Sequence, residues 1–134
     1  MDAMTEGQVF EALRARYAAP AWALLPQVAD RTGAYASRAA DALAVGLWPS
    51  RGLDVIGFEI KVSRSDWLRE LRQPAKAEPM VAICDTWWIA AGESGLVKSE
   101  ELPGGWGLLE VTATGKLRTV TVAARRPTHP DVPN

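Results

Sequence analysis

Three polar residues near the middle of the chain stand where a buried strand would carry apolar ones. Asp41 interrupts the small apolar run AADALAVGL at 39–47, and Glu59 and Lys61 lie two apart in the alternating segment LDVIGFEIKV at 53–62. Strand periodicity puts Glu59 and Lys61 on one face and Phe58, Ile60 and Val62 on the other, where they can enter a core. Two carboxylates brought together repel each other unless a cation lies between them. Mg²⁺, or Mn²⁺ in its place, suits such a pair, because it takes oxygen ligands, keeps several waters and uses only one or two carboxylates beside phosphate oxygens. A neighbouring lysine can hold an attacking water or stabilise charge on a phosphoryl group in transition. The chemistry this set supports is metal-assisted hydrolysis of a phosphodiester. The same spacing also describes a solvent-facing strand pair with Asp41 as a cap or turn residue, and short motifs have a real false-positive rate.

The elements that must position these residues follow from pattern. Thr5 with Gln8 three residues on forms a capping box, and Val9, Phe10, Leu13 and Tyr17 share a face, which predicts a helix over about 6–17. The stretch AWALLP between Pro20 and Pro26 reads either as a strand or as an irregular segment, and 30–37 as a loop. Residues 39–47 and 53–62 are expected to form two strands around a turn at Pro49, Ser50 and Gly52, a hairpin that brings Asp41 across from Glu59. A phase slip near Gly57 suggests a bulge in the second strand. Ser63 or Ser65 caps a second helix, SRSDWLREL, which Pro74 ends or restarts; Pro79 then either kinks PAKAEPMVAIC or divides it into two short pieces. Strands are expected over 85–91, 106–112 and 117–123, the last two joined by ATGK. The Pro-rich tail from Arg125 is expected to be disordered, leaving a single domain over 1–124. The order gives an α/β fold, a mixed central β-sheet flanked by helices.

Taken with their flanks, Asp41 and Glu59-Ile60-Lys61 resemble the PD-(D/E)XK nuclease superfamily, in which an Asp on one strand faces a Glu-x-Lys on the next. The longer string EIKVSRSDWLREL, followed by Cys84, Asp85, Trp87 and Trp88, resembles the MmcB-like DNA repair protein family more narrowly. The resemblance spans roughly 38–122, and Ala40 stands where the superfamily pattern has Pro. It implies a restriction-endonuclease-like core with Asp41 and Glu59 as metal ligands, the Ile60 backbone carbonyl as a further ligand and Lys61 acting on the water. It further implies DNA as partner and metal-dependent DNA cleavage in repair or processing, with a non-catalytic DNA-binding module on the same fold as the alternative. The superfamily often places a Glu on the first helix; Glu6, near the inward face, fits that place better than Glu11, although a first-turn Glu is equally explained by the helix dipole. Arg64 and Lys76 are candidates for phosphate binding, with Gln73 a weaker one, whereas Arg69 and Arg72 read as a solvated helix face. Such a fold at this size is compatible with a homodimer that helps enclose a duplex.

Composition bounds these readings. The chain has 134 residues, enough for one self-sufficient core, and 48% of them are hydrophobic. A net charge of −1 means that nucleic acid must be met by a local patch and not by a basic surface. The lone cysteine, Cys84, excludes an intrachain disulfide, which with the polar N-terminus fits a cytoplasmic protein. The six tryptophans favour core and rim packing over base stacking, and His129, alone in the tail, is expected to be inert.

Overall fold

A computed structural model describes residues 4–29, 39–48 and 54–126. The expected loop at 30–37, the turn residues Pro49, Ser50 and Gly52, and His129 with the tail beyond 126 lie outside the described residues. The chain order is α1 (Glu6–Arg16), β1 (Trp22–Ala29), β2 (Ala39–Gly46), β3 (Val55–Lys61), α2 (Arg64–Arg72), a 3₁₀ turn (Pro74–Ala77), α3 (Glu78–Val81), β4 (Thr86–Ala91), a second 3₁₀ turn (Ser99–Glu101), β5 (Gly107–Val111) and β6 (Leu117–Thr121).

The six strands make one mixed sheet in sequential order. β1, β2 and β3 form an antiparallel meander, β3, β4 and β5 run parallel, and β6 returns antiparallel to β5. Parallel neighbours need crossovers, and helices supply the first of them, α2 and α3 between β3 and β4. The α/β expectation of a mixed sheet with helices on its faces therefore holds.

Two apolar clusters sandwich the sheet. On one face Val9 and Leu13 of α1, with Tyr17 at its C-cap, cover Ala42, Ala44, Ile56, Phe58, Ile60 and Leu109. On the other, Trp67 of α2, Met80 and Val81 of α3, and Leu96, Val97 and Trp106 cover Leu43, Trp87, Ile89, Ala91 and Leu108. Covered on both sides, β3 is buried along almost its whole length, as parallel strands are.

Local chemistry explains the boundaries. The Thr5 capping box forms as expected, with the Thr5 hydroxyl accepting from Gln8 N–H and the Gln8 side chain accepting from Thr5 N–H. Of the two candidate caps for α2, Ser63 is the one used: its hydroxyl accepts from Asp66 N–H at 3.2 Å. Pro79 begins a new helix instead of kinking an old one, sitting in the first turn of α3 where its missing N–H goes unnoticed. The ambiguous segment before Pro26 is a strand, and Pro26 is tolerated because β1 lies at the sheet edge.

The expected bulge at Gly57 is not there. The β2–β3 register runs without a shift from Ala42/Phe58 to Val45/Val55; a shift occurs instead between β5 and β6, at Leu108/Leu109. Gly57 has a different role. A Cβ there would lie 2.5 Å from Trp87 Cζ3 and 2.7 Å from Cys84 Sγ, so the position is glycine because the Trp87 indole crosses it. Gly107 gives way to Trp88 in the same manner on the opposite face. The two tail residues within the described part are tied down: the Arg125 guanidinium pairs with Asp54 at 2.9 Å, and Arg126 N–H donates to the Asp85 carbonyl at 2.7 Å.

Candidate functional site

The β1–β2 ladder continues to Ala29/Ala39, but the β2–β3 ladder stops at Ala42/Phe58. The two strands part just where Asp41 and Glu59 would be the next opposed pair, and the two carboxylates line different cavities, Asp41 one with Glu6 and Ile60, Glu59 one with Lys61 and Glu70. Gly46 N–H donates to the Asp54 carbonyl, which fixes the alternation: even-numbered residues of β3 turn their N–H and C=O toward β2. With β2 leaving, the Ile60 N–H is taken by the Asp41 carboxylate, Oδ2 at 2.8 Å. Asp41 is thereby fixed at the mouth of the gap, and the Ile60 carbonyl turns toward the same gap.

The strand beyond Asp41 is also irregular. The β1–β2 pairing passes from Pro26/Ala42 to Val28/Ala40 and skips Gln27, whose φ is 45°. A non-glycine residue in the left-handed region opposite a candidate ligand is local strain of the kind that collects at functional sites. Glu6, Phe10, Glu11, Pro26, Gln27, Asp41 and Ile60 line a cavity of about 460 Å³ here. Burial, followed by the charges of Asp41 and Asp66, pushes the Glu6 carboxyl above its ordinary value, with Lys61 opposing. Glu6 therefore stands within electrostatic reach of the candidate set.

Glu59 and Lys61 project from the α2 face of β3 and are 8% and 7% exposed. The Lys61 ammonium lies 3.6 Å from Glu59 Oε1 and 3.1 Å from Glu70 Oε1. The sequence alone does not single out Glu70, which reads there as part of a charged helix face; it is in fact buried. Its position three residues after Trp67 is the available signal, since that spacing puts both on one side of α2. Glu59, Lys61, Asp66, Arg69, Glu70, Gln73 and Lys76 together line a second cavity of about 170 Å³. Lys76 and Gln73 are thus brought to the site, along with Arg69.

Arg64 is placed elsewhere. Its guanidinium forms a fork on Glu101, at 2.6 and 2.5 Å, and also donates to the Leu96 carbonyl at 3.0 Å. Those contacts tie the start of α2 to the loop before β5. The buried thiol is not reactive at neutral pH, because burial, reinforced by the Asp85 charge, pushes Cys84 up to about 12.

No protein-family model, curated protein or solved structure matches the chain. Among the described residues no helix is long and apolar enough to cross a membrane.

Proposed function

We propose that this chain is a metal-dependent DNA nuclease with a restriction-endonuclease-like core. The observation that carries the reading is the Asp41 carboxylate on the Ile60 N–H where β2 parts from β3, one residue from Glu59 and Lys61 on the same strand. The mixed sheet with helices on its faces is the α/β arrangement expected for such a core.

The candidate donors are of the type that a small hard cation takes. They are all oxygen: the Asp41 and Glu59 carboxylates and the Ile60 carbonyl, which the parted ladder leaves turned toward Asp41. When bound, Mg²⁺ or Mn²⁺ supplies Lewis acidity toward a phosphate oxygen and toward water. The chain's own groups do the rest. The Ile60 N–H holds Asp41 in place, Lys61 offers an ammonium to the reacting phosphate, and Arg69, Gln73 and Lys76 line the adjoining cavity with donors for a neighbouring phosphate.

Calorimetric titration of Mg²⁺ and Mn²⁺ into the wild type, Asp41→Ala and Glu59→Ala tests this, beside cleavage of a panel of labelled DNAs. Metal binding and cleavage are expected in the wild type and lost in both variants. A wild type that binds neither ion with DNA present sinks the reading. One observation favours the alternative of a DNA-binding module: Lys61 is already held between two carboxylates, as a purely structural lysine would be. DNA binding undiminished in Glu59→Ala, without cleavage by the wild type, would decide for it.

A further inference from the structure

Lys61 faces two buried carboxylates that cannot serve it equally, and their geometry separates their roles. We infer that Glu70 is a positioning residue that draws the Lys61 ammonium toward α2 and loosens its hold on Glu59. The Lys61 ammonium is nearer to Glu70, at 3.1 Å, than to Glu59, at 3.6 Å. Glu70 and Lys61 are both more than nine-tenths buried, so their attraction is weakly screened. Glu70 is itself firmly placed. It lies inside α2, whose start is fixed by the Ser63 cap and by the Arg64–Glu101 fork, and whose buried face is pinned by Trp67. Glu59 is held from the β4 side, where its strand pairs with Ile89, while the β2–β3 ladder ends one residue before it.

A buried ion pair is seldom needed for stability, since apolar residues of similar volume often serve as well. What Glu70 provides that leucine would not is a fixed place for a positive charge. A lysine resting on Glu59 would compete with any cation for that carboxylate. Drawn toward Glu70, it stays beside the gap without filling it. This consequence for cations rests on the nuclease reading; the placement of Lys61 does not.

The test is NMR of the Lys61 ammonium in lysine-labelled protein, beside Mn²⁺ titration of the same samples. Hydrogen exchange of that ammonium is expected to be about tenfold faster in Glu70→Gln and little changed in Glu59→Gln. Glu70→Asp, which keeps the charge, should restore part of the protection and serves also if Glu70→Gln does not fold. Mn²⁺ should bind Glu70→Gln about tenfold more weakly, because the lysine then rests on Glu59. In a Lys61→Met background, Glu70→Gln should leave Mn²⁺ affinity unchanged, which a merely structural role of Glu70 would not predict. An ammonium as protected in Glu70→Gln as in the wild type overturns the inference. Loss of protection there in a protein that binds no Mn²⁺ supports the placement while removing the nuclease reading.

Discussion

Glu101 gathers the two arms of the Arg64 fork, the Trp67 indole N–H and the Lys98 N–H on one carboxylate. The Arg64 guanidinium, ahead of the other donors, holds its carboxyl down at about 2. A carboxylate depressed in the folded state contributes stability that is present above its unfolded value and lost as the pH falls toward the folded one. The wild type should therefore lose urea resistance between about pH 4.5 and pH 2 more steeply than Glu101→Gln, as urea midpoints across that range would show. Glu6 has the opposite sign. Its raised carboxyl binds its proton more tightly folded than unfolded, so its contribution falls as the pH rises through the folded value. Glu6→Gln should raise the urea midpoint at pH 7 by a small margin, which solvent screening keeps within about 0.5 kcal/mol, and the difference should vanish well below pH 4.5. At this scale the sequence was partly legible. Asp41, Glu59 and Lys61 stood out because they broke an apolar pattern. Glu70 did not, because a carboxylate among arginines on a helix looks solvated until the packing of Trp67 shows which side is inside. Arg64 looked free for phosphate because nothing in the sequence pairs it with a glutamate 37 residues away.

Elements were easier to foresee than the side-chain pairings between them. Helix α1, the paired 3₁₀ and α pieces around Pro79, and strands β3 to β6 all follow from caps, prolines and alternation. Gly57 shows the limit: within one strand a glycine suggests a bulge, whereas the reason for it is an indole on a strand 30 residues later. Gly57→Ala should destabilise the protein by about 1–3 kcal/mol, as overpacking of a closed core does, measured by chemical denaturation. Ser63→Ala removes the hydroxyl that accepts from Asp66 N–H and should cost about 1 kcal/mol. The β1 segment was ambiguous for a physical reason: proline argues against a central strand, and only the tertiary structure shows that this strand lies at an edge.

For the molecule as a whole, the charge balance bears on how DNA would be met under the proposed function. With a net charge of −1, binding would need a local patch, and Arg69 and Lys76 at the smaller cavity are the candidates for it. If the nuclease reading is right, replacing Arg69 and Lys76 by alanine should weaken binding similarly for all sequences and lower the salt slope by about 1 for each phosphate no longer neutralised. Arg125 and Arg126 tie the last described residues into the fold. Ending the chain after Ala124 removes the Arg125–Asp54 pair and the Arg126–Asp85 hydrogen bond, and should cost about 1–2 kcal/mol against a chain ending after Arg126.

The adjacent indoles of Trp87 and Trp88 leave β4 on opposite faces, and each lies over a glycine of a neighbouring strand, Gly57 in β3 and Gly107 in β5. These positions cannot change independently. A larger residue at 57 is tolerable only with a smaller one at 87, and likewise for 107 and 88, so Trp87→Leu should recover part of the stability lost in Gly57→Ala. The couplings also bar slippage of β3 along β4, because a one-residue shift would set an indole against a side chain. Glu59 follows Gly57 by two residues, so the lock that protects the core also keeps the candidate ligand in register. Diversification of this chain would therefore proceed by paired replacements along β4, or else in the segments on either side of the sheet.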